Sequence, residues 1–290
     1  MTLSPNHILG RIMARKREEV ALARRERSAS SLLEQCTEIS PPRGFVRAIA
    51  ESVQSCREQK GVAAIIAEVK RGSPSKGVIY PETEHPFLPE QIASQYAERG
   101  ATCISCLTDR DFFLGEDHFL LPIRQRIALP ILRKDFLYDP YQVIQSRALG
   151  ADAILLIMAV LSTEQAKELE AAAQEMGLDV LVEVHDEAEL EQAHELQTPL
   201  MGINNRDLKT FATSLECSLR LSKRVEVGRI VVSESGIHDA QDLLYLKQQD
   251  IHAFLIGEAF MRDRQPGEAL ARMLSATAAA LSGKVDGHTD

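Results

Sequence analysis

No apolar run in this chain is long enough to cross a membrane. The longest uncharged one, Ala153–Leu161, is well short of the roughly 18 residues that a spanning helix needs. The N-terminus opens Met1-Thr2-Leu3-Ser4-Pro5 and runs into the charged stretch Arg15–Arg27, with no apolar signal core. Basic residues are outnumbered, 33 against 42 acidic ones, for a net charge of −9 and a pI near 5.5. That excludes a generally basic nucleic-acid binder but not a small anionic substrate, for which a few local cations suffice. The five cysteines (Cys36, Cys56, Cys103, Cys106 and Cys217) are odd in number and scattered. Reduced thiols in the cytoplasm are therefore expected rather than disulfides. No Gly-x-Gly-x-x-Gly follows the first apolar run, and neither a Walker pattern nor His-Glu-x-x-His occurs. With 44% hydrophobic and 26% charged residues, disorder, collagen and coiled coil are poor readings.

What is present divides the chain at about Gly61. Residues from about Asn6 to Glu58 carry helical periodicity and no strand signal, with a break at Ser40-Pro41-Pro42. The spacing predicts an N-terminal helical extension over 1–60, packing on the remainder of the chain. The charges of Arg15–Arg27 read as its solvated face. After Gly61, eight apolar runs alternate with amphipathic stretches: Val62–Val69, Thr102–Leu107, Pro130–Phe136, Ala153–Met158, Asp179–Val184, Leu200–Asn204, Arg229–Glu234 and Ala253–Gly257. Most lack polar alternation, as strands covered on both faces should. Asp139-Pro140, Ser162-Thr163-Glu164-Gln165, Asp186 and Asp239 supply helix starts between them. Eight strand–helix units over 61–280 favour a closed (β/α)8 barrel, an α/β fold, over an open doubly wound sheet. Residues 281–290 read as a polar tail that frays.

Active sites of such barrels lie at the carboxyl ends of the strands. Here those ends carry Glu68 and Lys70, Lys134, Glu183 followed by His185, Asn204 and Arg206, and the turns Ser235-Gly236 and Gly257-Glu258. Charges inside apolar strands are costly unless paired or functional. A salt-bridge layer explains any one of them, but a ring at a single rim points to proton transfer. A lysine beside another cation would have its pKa lowered and could serve as an acid near neutrality. The two turns follow the seventh and eighth runs, where barrels commonly hold phosphate. Cys103 and Cys106 read as core and His185 as a hydrogen-bonding strand end. Phe113 and Phe136 read as packing residues that an aromatic ligand could also use.

Six segments together resemble the indole-3-glycerol phosphate synthase family: Ile66-Ala67-Glu68-Val69-Lys70-Arg71-Gly72-Ser73-Pro74-Ser75; Leu107-Thr108-Asp109 with Phe113-Leu114-Gly115; Pro130-Ile131-Leu132-Arg133-Lys134-Asp135-Phe136; Leu181-Val182-Glu183-Val184-His185; Gly202-Ile203-Asn204-Asn205-Arg206-Asp207-Leu208; and Ser233-Glu234-Ser235-Gly236-Ile237. The likeness runs in order over roughly residues 40–275. It implies conversion of 1-(2-carboxyphenylamino)-1-deoxy-D-ribulose 5-phosphate to indole-3-glycerol phosphate in tryptophan synthesis, with loss of carbon dioxide and water. It implies no metal and no organic cofactor.

By the same resemblance, Lys134 is the general acid and Glu183 serves the dehydration as acid or base. Glu68 and Asn204 orient the lysines and the substrate hydroxyls. Lys70 is an anion partner or a second acid. Ser73 and Arg206 are carboxylate and loop contacts. Ser235, Gly236, Gly257 and Glu258 line the phosphate site, the last through its backbone, and Phe113 and Phe136 flank the anthranilate ring. The expected partner is a small anion, with no nucleic acid and no membrane. A monomer is allowed. The length leaves no room for a second, fused barrel.

The chain departs from the family pattern in a long, proline-rich segment Val78–Pro89 and in the part before about Pro41. Two other readings compete: a Schiff-base aldolase using Lys134, and a barrel without activity kept as a binding subunit.

Overall fold

The eight apolar runs become eight parallel strands: β1 Ala64–Val69, β2 Cys103–Leu107, β3 Ile131–Lys134, β4 Ala153–Ile157, β5 Asp179–Val184, β6 Leu200–Asn204, β7 Ile230–Glu234 and β8 Ala253–Ile256. In this computed structural model, which describes residues 8–81 and 86–283, each strand pairs with its sequence neighbour. Pairing of Ala64 with Ala253 brings β1 against β8 and closes the cylinder. The chain is thus a (β/α)8 barrel. β4, Ala-Ile-Leu-Leu-Ile, is buried throughout, because helices cover one face and the barrel interior the other.

Eight outer helices follow the strands. They run Pro89–Glu98, Leu120–Arg126, Pro140–Ala148, Thr163–Glu175, Glu187–Ala193, Glu216–Ser222, Ala240–Lys247 and Pro266–Ser282. The expected starts are realised as caps. Asp139 accepts from the N–H of Tyr141, with Pro140 at the first helical position. Ser162 and Gln165 form a reciprocal capping box, and Asp186 accepts from Glu189 N–H. Among the described residues no helix is long and apolar enough to cross a membrane. Of the proline-rich segment after β1, residues 82–85 lie outside the described residues; of the expected tail, Leu281 and Ser282 instead continue the last helix, and residues 284–290 lie outside the described residues. A short hairpin, Gly72–Ser73 against Gly77–Val78, precedes that segment.

Among the described residues three helices come before the barrel: α1 Ile8–Glu26, α2 Ala29–Glu38 and α3 Phe45–Arg57. Besides the break expected at the prolines, the chain breaks again at Ser28, whose hydroxyl caps α2. The three helices form a strap around the barrel. α3 lies across the amino ends of the strands, with Val46 N–H donating to Asp179 and Arg43 N–H to Asp152. Phe45, Ile49 and Val53 are buried there, each burial stabilising by roughly 1.5–3 kcal/mol. α2 packs on the helix Pro140–Ala148, where Leu32 meets Tyr141 and Ala148. α1 reaches the carboxyl ends, where Ile8, Leu9 and Ile12 help line the barrel mouth.

Candidate active site

Strand register decides which side chains meet. β5 pairs with β6 and β6 with β7, so Glu183, Asn204 and Glu234 rise together at the carboxyl end. Lys134, at the end of β3, reaches across to them. Its Nζ donates to Oε2 of Glu183 at 3.1 Å and stands 3.7 Å from Oε2 of Glu234. Asn204 Nδ2 donates to Oε1 of Glu183 at 3.1 Å, and its Oδ1 accepts from the Arg206 N–H at 3.0 Å. Lys70 pairs with Glu68 at 3.1 Å. All the site residues expected from the sequence line this one cavity: Glu68, Lys70, Ser73, Phe113, Lys134, Phe136, Glu183, Asn204, Arg206, Ser235, Gly236, Gly257 and Glu258.

The electrostatics differ from expectation at the central lysine. Burial works against the charge on Lys134, but Glu183, Glu234 and Glu68 outweigh it, so its pKa is raised and not lowered. Burial likewise opposes the charge on Glu183, yet Lys134, His185 and Asn204 hold its carboxyl below the usual carboxylate range. Glu234 goes the other way. Burial, then repulsion from Glu183, pushes it up to about 8 against the pull of Lys134. Two neighbouring carboxyls are thereby held in opposite protonation states, the arrangement that acid–base chemistry at neutral pH requires.

Glu234 is the residue that sequence reasoning passes over. It is fully buried, its Oε1 has no hydrogen-bond partner, and it lies against a glycine of the neighbouring strand. The second carboxylate is seated in the same way. A Cβ at Gly257 would stand 2.4 Å from Oε2 of Glu68.

The walls are of two kinds. Phe113 and Phe136 face each other with ring centroids 6.0 Å apart, and Lys70 Nζ lies 5.9 Å from the Phe113 centroid. Opposite them the backbone turns left-handed at Ser235 (φ 64) and Gly236 (φ 74). A non-glycine in that region is strained and uncommon outside functional turns. Asn205 holds the turn, donating to Ser233 Oγ and to the Ser235 carbonyl. Glu258 follows β8, with its carboxylate paired to Arg206 at 3.3 Å and to Arg262. Arg206 also donates to Ser75 Oγ at 3.4 Å, tying the loop after β6 to the loop after β1.

The Arg15–Arg27 segment is not wholly a solvated face. Lys16 is 4% exposed, with its Nζ 3.0 Å from Asp109, 2.9 Å from Asp135 and 2.8 Å from Glu19. Asp109 caps the turn Arg110–Phe113, and Asp135 sits between Lys134 and Phe136. One ammonium therefore pins α1 beside both aromatic walls. Burial opposes ionisation of Asp135, but Lys16 and Arg133 hold its carboxyl down at about 2. Cys103 and Cys106 are buried free thiols, as core residues should be. Among the described residues, no group of three or more His, Cys, Asp or Glu is arranged to hold a metal ion.

Comparison with known proteins agrees with this geometry. Solved structures of similar fold include the tryptophan synthase alpha subunit of Legionella pneumophila, at a TM-score of 0.56 and 14% identity, covering 81% of this chain and 98% of that one. At that identity the likeness concerns the fold alone. Two curated relatives, both named indole-3-glycerol phosphate synthase, are far more similar. That of Magnetococcus marinus is 57% identical over 267 residues, 92% of this chain and 97% of the relative. That of Bordetella pertussis is 47% identical over 270 residues, 93% of this chain and 100% of the relative. The family model described as indole-3-glycerol phosphate synthase matches residues 9–273, the strap as well as the barrel, and the chain belongs to that family.

Proposed function

We propose that this protein is an indole-3-glycerol phosphate synthase. It closes the pyrrole ring of 1-(2-carboxyphenylamino)-1-deoxy-D-ribulose 5-phosphate, releases carbon dioxide and water, and yields indole-3-glycerol phosphate. The observation that carries this reading is the placement of Lys134 among Glu183, Glu234 and Glu68, between an aromatic wall and a left-handed phosphate-type turn.

The anthranilate ring packs against the wall that Phe113 and Phe136 form, with α1 closing the cavity through Ile8, Leu9 and Ile12. Backbone N–H groups around Ser235, Gly236, Gly257 and Glu258 receive the phosphate. Arg206 and Ser73 hold the loop after β1 and meet the substrate carboxylate, with Lys70 as a further cation held by Glu68. The ketone oxygen then faces Lys134. As the aryl carbon bonds to the ketone carbon, negative charge builds on that oxygen. The ammonium stabilises it and gives up its proton once the oxygen has become alkoxide-like. Loss of carbon dioxide restores the aromatic ring. In the dehydration the hydroxyl leaves as water, taking a proton from an acid, while a base removes a proton from the ring CH2 carbon beside nitrogen, and the pyrrole double bond forms between the two carbons. Glu183, held ionised, suits the base, and Glu234, held protonated, suits the acid.

A Schiff-base aldolase needs a neutral lysine at neutral pH. The carboxylates around Lys134 work against that state. Borohydride with substrate should therefore leave the enzyme active. The five free thiols support a cytoplasmic location. The direct test is incubation with the carboxyphenylamino-deoxyribulose phosphate while following indole fluorescence. A rise with catalytic turnover is expected, and its absence would sink the assignment.

A further inference from the structure

His185 does not line the cavity, yet it stands directly behind it. Its ring lies between two carboxylates. Nδ1 is 2.9 Å from Oε2 of Glu189, and Nε2 is 3.3 Å from Oε1 of Glu183. Nε2 is buried and has no hydrogen-bond partner, so the ion-pair contact with Glu183 is what it has among the described residues. The neighbours of His185 are themselves tied to its backbone. Oε2 of Glu189 also accepts the His185 backbone N–H at 2.8 Å, and Glu189 belongs to the first turn of the helix Glu187–Ala193, capped by Asp186. On the other side the Cys217 thiol donates to the His185 carbonyl at 3.4 Å.

Neither neutral tautomer suits this setting. A proton on Nδ1 alone satisfies Glu189 but turns a lone pair toward Glu183, and a proton on Nε2 alone does the reverse. The imidazolium hydrogen-bonds Glu189 and sets its positive charge against Glu183. We propose that His185 is a positioning residue: anchored by Glu189, it holds the Glu183 carboxylate from behind while Lys134 and Asn204 hold it from the cavity. This rests on the proposed function, since Glu183 is taken as the base of that reaction.

The groups around the pair set the sign of the pH effect. Glu183 faces Lys134 from β3 and Glu234 from β7, and Glu68 from β1 acts on those two neighbours. His185 faces Glu189 and the Cys217 thiol from the two outer helices. Burial disfavours the charged ring, but contacts with Glu183 and Glu189 push it up to about 10. Without that cation, Glu183 keeps Lys134 alone against its carboxylate neighbours and takes up a proton at higher pH.

The test uses the full chain with His185→Gln and, separately, Glu189→Gln. For His185→Gln, kcat should fall about tenfold with KM within about twofold, and the acidic limb of the kcat–pH profile should move up by about one unit. Glu189→Gln should shift the limb the same way, by less. Nitrogen NMR of the wild type should show a doubly protonated His185 ring through pH 8. An unmoved acidic limb with unchanged kcat, or a neutral ring at pH 7, overturns the proposal. If His185→Gln does not fold, the Glu189→Gln profile and the NMR signal decide it. A wild-type protein that makes no indole-3-glycerol phosphate would instead sink the proposed function, and the NMR signal would still test the ring.

Discussion

Glu234 occupies the space that a side chain at Gly202 would need: a Cβ there would stand 2.3 Å from Oε1 of Glu234 and 2.9 Å from the Val182 carbonyl. A backbone carbonyl cannot yield as a flexible side chain can, so the carboxyl must move. Gly202→Ala should therefore displace Glu234, lowering kcat at least about tenfold and costing about 1–3 kcal/mol of stability through overpacking. Kinetics and thermal melts of the variant check both. Wild-type kcat would mean that Glu234 takes no part in turnover.

Lys134→Ala removes the cation shared by Glu183 and Glu234. Turnover should vanish while far-ultraviolet circular dichroism stays native, because the barrel strands do not depend on this side chain. An active Lys134→Ala enzyme would falsify its role as the acid.

Glu183→Gln keeps shape and the hydrogen bond from Asn204 but cannot accept a proton. A loss of about 100-fold in kcat is expected, in line with typical acid–base contributions. Single-turnover traces should place the loss at or after ring closure. Wild-type rates would remove Glu183 from the mechanism.

The buried Glu234 carboxyl also ties stability to pH. Its native pKa of about 8 stands above the ordinary 4.5 that it regains on unfolding. Between those values the native state holds the extra proton, so this group's contribution is complete at low pH and is lost as pH rises through about 8. Glu234→Gln should flatten that part of the curve. Urea midpoints at about pH 5.5 and about pH 8.5 test it, with wild type losing more than the variant over that interval. Equal losses would mean that Glu234 is ionised throughout.

Lys16→Met leaves Asp109 and Asp135 buried together without their shared cation. Breaking such a cluster should cost about 3–5 kcal/mol. Because the same helix supplies Ile8, Leu9 and Ile12 to the cavity, KM should rise more than kcat falls. Lys16→Arg, which keeps the charge, should recover part of both. An unchanged melting temperature in Lys16→Met would show that the cluster does not hold α1.

The barrel was legible because strands buried on both faces leave an unmistakable mark: continuous apolar runs such as Ala153–Ile157, separated by helices whose caps are written out at Asp139, Ser162 and Asp186. The strand-end residues Lys134, Glu183 and Asn204 could be picked out for the same reason, as polar groups closing apolar runs. Glu234 could not be ranked above its neighbours, since its importance lies in register. Pairing of β6 with β7 sets it against Gly202, and closure of the cylinder brings Lys134 within 3.7 Å. A glycine inside the run Leu200–Asn204 was the available hint of a close approach. At Lys134 the protonation argument failed because linear order showed nearby cations and hid carboxylates contributed by distant strands. Lys16 was misread because its charge outweighed its place. It lies four residues from both Ile12 and Val20, on the stripe that α1 buries.

The strap has a consequence for how the protein is made. Its first helix leaves the ribosome early, but the aspartates that receive Lys16 come after the second and third strands. Until those strands curl into place, the nascent chain carries Leu9, Ile12 and Met13 on an unmatched greasy helix, the kind of transient surface that invites aggregation. The catalytic chamber is accordingly sealed late, by a segment synthesised before any barrel strand.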